Sequence, residues 1–153
     1  MADGILYTGD PPARFTGTAR EAVEDGSLAL YVGIEVRRAG RYVVIGRLYD
    51  AGDRAVAILQ QNDVIETSAR ETRLLVFGKL LRDTGALAPF ALRDVQGWRM
   101  NDGGYPDRQL LEMWPGPYTT AAYAPNTFSD RDWDSPGKRN RLAGLQQAAS
   151  GQP

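Results

Sequence analysis

The residues best placed to do chemistry lie near the end of the chain, in Asp130-Arg131-Asp132-Trp133-Asp134-Ser135. Carboxylates at alternate positions are how a calcium loop opens, because oxygen ligands spaced by two converge on one hard cation. The pattern then departs from an EF-hand: its sixth position is Ser135 rather than glycine, and its twelfth is Arg141 rather than glutamate. Asp130, Asp132 and Asp134 thus remain candidates for a looser calcium site. The structural alternative is capping, since they precede a helix whose positive end favours negative charge. Glu21, Glu24, Glu35, Glu66, Glu71 and Glu112 could supply the opposed acid pair of a glycosidase, a geometry that spacing alone does not reveal. Gly78-Lys79 has neither an upstream glycine loop nor a following Ser/Thr, so it is not a phosphate cradle.

Aromatic residues form a second group. Trp98, Tyr105, Trp114, Tyr118, Tyr123 and Trp133 crowd the C-terminal third. Of these, Trp98, Tyr105, Trp114 and Tyr118 are the candidate ligand-binding set, because exposed coplanar rings stack on sugars. Large rings packing over a sandwich edge are the ordinary alternative.

The chain contains no histidine and no cysteine. That removes Ser-His-Asp and Cys-His catalysis and the usual ligands of zinc, copper, haem and iron–sulfur clusters. Carboxylate chemistry, oxygen-ligated cations and two lysines remain, so the expectation is a protein that is not an enzyme and needs no cofactor, calcium being the exception. Eighteen basic against 19 acidic residues give a net charge of −1, without the basic stripe a nucleic-acid binder concentrates on one face. The opening residues Met1 to Tyr7 are not those of a signal peptide, and no stretch has the roughly 18 apolar residues of a membrane-spanning helix. Neither nucleic acid nor membrane insertion is expected.

These groups must be positioned by strands. Leu28, Leu30, Val32, Ile34 and Val36 alternate with a mixed face, and alternation resumes at Tyr42, Val44, Gly46 and Leu48. Val43-Val44-Ile45 implies burial on both faces. A third strand over Arg54–Gln60 follows at hairpin spacing, and the three read as a meander. Arg70–Phe77 is a fourth strand, and Gly78–Asp83 suits one helical turn. A fifth strand begins after Pro89, where the slip from Leu92 to Val95 calls for a bulge near Arg93-Asp94. Arg14–Thr18 reads as a short edge strand and Tyr118–Tyr123 as a last one. Ser135-Pro136 starts a helix over 136–149, and 150–153 reads as a flexible tail. The whole is an all-β antiparallel sandwich, immunoglobulin-like or jelly-roll, with a short C-terminal helix. One domain spans 1–135 and includes an irregular aromatic-rich segment, 98–134.

Leu48-Tyr49-Asp50-Ala51-Gly52, Val76-Phe77-Gly78-Lys79-Leu80-Leu81-Arg82-Asp83 and Pro89 to Val95, in that order, are followed by Pro117 to Thr120, Phe128 to Asp130 and Trp133 to Arg139. Together they resemble the β-sandwich accessory modules of multidomain, often secreted or cell-envelope, bacterial proteins. The resemblance covers roughly 27–145. It implies a non-catalytic module that binds a partner protein or supports neighbouring domains, outside the cytoplasm. A carbohydrate-binding module using the aromatics is the alternative, and a carboxylate-dependent hydrolase the second.

Overall fold

The computed structural model describes residues 11–101 and 108–129. Two antiparallel sheets pack face to face. One is ordered β1-β2-β5, from β1 (Ala13–Glu24), β2 (Ser27–Val36) and β5 (Glu71–Val76). The other is ordered β4-β3-β6-β7, from β3 (Gly40–Tyr49), β4 (Ala55–Ile65), β6 (Ala91–Met100) and β7 (Arg108–Leu110), with β8 (Tyr118–Thr119) also on β6. The alternation of β2 is realised in full: Leu28, Leu30, Val32, Ile34 and Val36 all point into the core. Beside them in the same sheet lie Leu74 and Val76 of β5, and opposite, in the facing sheet, Val44 and Leu48 of β3 and Leu92 and Val95 of β6. Val43 on the outer face is also buried, as the apolar triplet implies. Helix α1 (Gly78–Asp83) is the expected single turn, with Leu81 inward and Lys79 paired to Asp83 at 2.9 Å.

The bulge in β6 lies where the slip in alternation places it. Ile45 pairs with Gln96 and Arg47 with Arg93, so Gly46 alone faces Asp94 and Val95. Asp94 takes a positive φ of 56°, which turns Val95 back into the core.

Three readings of the strands are corrected. The segments at Leu28, Tyr42 and Arg54 do not form a meander: β3 and β4 are a hairpin, but β2 and β3 belong to different sheets. Alternation reports which residues face inward and is the same for a hairpin and a sheet-to-sheet crossing. Here the crossing is held by Pro12, whose carbonyl accepts the Arg37 and Arg38 amides and the Tyr42 hydroxyl. Secondly, the edge strand at Arg14 runs on to Glu24 and forms a hairpin with β2 through Asp25-Gly26. Both turn residues have positive φ, 51° and 77°, the geometry that Asp-Gly adopts in a two-residue hairpin. Thirdly, Tyr118–Tyr123 contributes only the two residues of β8, because from Thr120 on the ladder gives way to side-chain contacts: the Thr120 hydroxyl accepts the Phe90 amide and the Ala121 amide donates to Glu21. The helix at 136–149 and the tail lie outside the described residues.

Candidate functional site

Acidic side chains of β1, β2 and β5 are taken up by basic and phenolic partners. On the outer face of the three-stranded sheet, Arg14 pairs with Glu35 at 2.7 Å. Arg20 holds Glu71 through two hydrogen bonds of 2.7 and 2.8 Å and lies over the Tyr31 ring. Glu24 accepts from the Tyr31 hydroxyl and pairs with Arg73 at 3.0 Å. Register explains the ladder: Arg14 faces Glu35 and Arg20 faces Tyr31 across β1 and β2, while Tyr31 faces Arg73 across β2 and β5.

Glu21 sits on the other face of β1, between inward-facing neighbours. Its carboxylate accepts from the Tyr118 hydroxyl at 2.7 Å, from the Tyr123 hydroxyl, and from the Ala121 amide at 3.2 Å. One carboxylate thereby fastens residues 118–123 to a strand nearly a hundred positions earlier. Phe128, packed edge-on against Tyr123 and tilted against Phe90, continues the same closure into the core. Burial first, and the bond to Glu21 second, push both tyrosine hydroxyls up to about 12. Tyr42 is raised as well, by burial.

Since a raised folded-state pKa favours the neutral phenol, its stabilisation is complete below the ordinary value near 10 and disappears as pH climbs to about 12. Ultraviolet titration is expected to show Tyr118 and Tyr123 ionising late, with melting temperature falling between pH 10 and 12. Ionisation of every tyrosine near pH 10 in the folded protein would contradict this.

At the β3–β4 turn, Asp50 is nearly buried. Its Oδ1 accepts the Arg54 amide at 2.9 Å and the Gly52 amide at 3.0 Å, and its Oδ2 meets the Arg54 guanidinium at 3.2 Å. The Arg54 amide is the largest influence holding this carboxyl below its usual 3.8, against the opposing effect of burial. A bond from Arg20 likewise holds Glu71 low. Such groups stabilise the fold above their ordinary pKa, and that stability is lost as pH falls through the lower folded value. Asp50→Asn is therefore expected to flatten the acid limb of stability in urea melts between about pH 5 and pH 2; an unchanged limb would count against it.

The structure disperses the aromatic candidates rather than gathering them. Trp98 is half-buried on the outer face of the larger sheet, beside Val43 and beneath the Arg108 guanidinium. Trp114 bridges to Val95 at the β6 bulge and packs against the core. Tyr118 is bound to Glu21 at the β1 edge. Tyr105 and Asp130, Asp132 and Asp134 lie outside the described residues. Among the described residues, no group of three or more carboxylates is close enough to share a metal ion. No helix among them is long and apolar enough to cross a membrane.

Sequence reasoning placed Glu21 only among the acids of a possible glycosidase pair and missed its role as the anchor of residues 118–123. Its signal is a carboxylate at an inward position of an alternating run, Ala19-Glu21-Val23, which requires buried donors.

The two outer faces differ. On the larger sheet, β3, β4 and β6 present Arg41, Ile45, Arg47, Ile58, Gln60, Asn62, Val64, Gln96 and Trp98. Ile58 is 66% exposed and Val64 48% exposed there, and Met113, alongside Gln96, is exposed too. None of the nine strand residues just named is acidic. No family model matches the chain, and no curated protein does so either.

Proposed function

We propose that the chain is a non-catalytic immunoglobulin-like module that binds a partner protein, or supports neighbouring domains, through the outer face of its β4-β3-β6-β7 sheet. The observation that carries this is the contrast between the two outer faces. One is closed along its length by its own ion pairs, while the other has an ion pair only at its β3–β4 turn end, Arg93 to Asp53, and otherwise leaves apolar and amide side chains open to a second surface.

The strand order supports the immunoglobulin-like arrangement over a jelly roll. β2 beside β5, and β3 beside β6 in the facing sheet, reproduce the B–E and C–F neighbours of that sandwich. The acids also favour a binding role over hydrolysis. Glu21, Glu24, Glu35 and Glu71 are each held by arginine or tyrosine, whereas a glycosidase needs two carboxyls facing one cleft. Dispersal of Trp98, Trp114 and Tyr118 to three places likewise weighs against a sugar-stacking platform. The resemblance to accessory modules of secreted or cell-envelope proteins points the same way.

Titrating isotope-labelled protein with candidate partner domains is expected to shift amide resonances of Ile45, Ile58, Gln96 and Trp98 while leaving those of Arg20 and Arg73 unmoved. Turnover of glycoside or ester substrates by the purified protein would overturn the reading.

A further inference from the structure

Edge strands are a liability, because their unpaired amides and carbonyls template further pairing. In this sandwich the edges are not protected equally. β1 is interrupted where Thr16, Gly17 and Thr18 face Gly33 alone, and it carries Arg14, Arg20 and Glu24 outward. β5 has six residues, with Glu71 and Arg73 among them, and β7 has three. β4 is different. It runs for eleven residues, Ala55–Ile65, pairs with β3 on one side, and keeps continuous register from Gly40↔Ile65 to Leu48↔Ala57. It contains no lysine, no proline and one charge, Asp63.

The free side of β4 can be assigned residue by residue. The Val64 amide donates to Asp63 Oδ1 at 2.8 Å, so it is turned away from β3. Strand alternation turns the amides and carbonyls of Asn62, Gln60 and Ile58 the same way. Side chains of these four residues share the outer face, with the two aliphatic ones at the ends and the two amides between.

That arrangement is its own complement. We infer that β4 is the pairing edge for a second copy of this chain, joined antiparallel about a two-fold axis at Gln61. This register sets Ile58 opposite the partner's Val64 and Gln60 opposite the partner's Asn62, and then each again by symmetry. The two most exposed aliphatic side chains of the face become cross-strand neighbours, and amide meets amide. Two larger sheets merge into one continuous sheet with an isologous interface. Arg41 and Arg47 lie one strand further in on β3, away from the axis. The inference goes beyond the interaction-module reading: it uses the edge of the same sheet and leaves the outer face open to another partner.

Sedimentation equilibrium over about 10 to 500 µM, the range of weak specific complexes, tests it. The expected result is a mass rising from 16.8 kDa toward twice that value. The amides of Ile58, Gln60 and Asn62 should gain exchange protection at the same concentrations. Gln60→Pro removes an amide that β3 does not use, and proline is tolerated on an open edge; Ile58→Lys changes a solvated position. Each should weaken dimerisation at least tenfold with the circular dichroism spectrum retained, while Arg73→Ala should leave it unchanged. If Gln60→Pro fails to fold, Ile58→Lys decides alone. A monomer throughout, or a dimer that Ile58→Lys leaves intact, overturns self-pairing. A monomer would leave the module reading standing, whereas substrate turnover would sink that reading and not the dimer.

Discussion

Val44→Asp is expected to leave no folded domain at 25 °C. Val44 is 0% exposed, at the centre of β3 between Gln61 and Gly97, within the cluster that includes Leu30, Leu74 and Val95. An unpaired carboxylate there costs several kcal/mol even after the protein relaxes. A domain of this size has only about 5–15 kcal/mol in total. Protonating the aspartate would avoid the charge but would still leave a polar group without donors in an aliphatic layer. The control is the adjacent position. Ile45 points to the outer face and is part-exposed, so Ile45→Asp should fold with a loss of about 1–2 kcal/mol. Dispersion of the amide proton spectrum separates the outcomes. If the two variants melt alike, the assigned facing of β3 is wrong.

Glu21→Ala is expected to have the second largest effect, at a site where no apolar burial is lost. It removes the acceptor of two tyrosine hydroxyls and one backbone amide together. Hydrogen bonds to a charged group contribute about 1.5–3 kcal/mol each when the partner is left unsatisfied. Partial exposure lets water take over some of that role, so the expected net loss is about 2–3 kcal/mol. The damage should be local first. Residues 118–123 should become sensitive to protease and lose amide protection while β2 and β3 keep theirs. Glu21→Gln retains one acceptor oxygen and should recover part of the loss. A variant whose segment 118–123 stays as protected as the parent would show that Phe128 and Phe90, rather than the carboxylate, hold this closure.

The alternating strands were legible because period two is a local property. Leu28 to Val36, Leu74 with Val76, and the Arg93-Asp94 bulge each follow from where aliphatic side chains stand along a short run. Gly78–Asp83 was legible for the same reason. Asp25-Gly26 carried an equally local signal for the first hairpin, and reading it would have extended β1 to Glu24.

Sequence by itself determined that this chain is built from two-sided strands, and that no histidine or cysteine chemistry is available to it. Those conclusions need only residue types and their periodicity. Tertiary structure alone decided that β2 and β3 separate into facing sheets, that Glu21 finds Tyr118 and Tyr123, and that Trp98, Trp114 and Tyr118 part company. It also decided that, among the described residues, β4 is the long strand paired on one side only. The physical reason is common to all four. An inward-facing residue satisfies the same local pattern whichever sheet receives it, so strand pairing and long-range polar contacts are chosen by the packing of the whole chain.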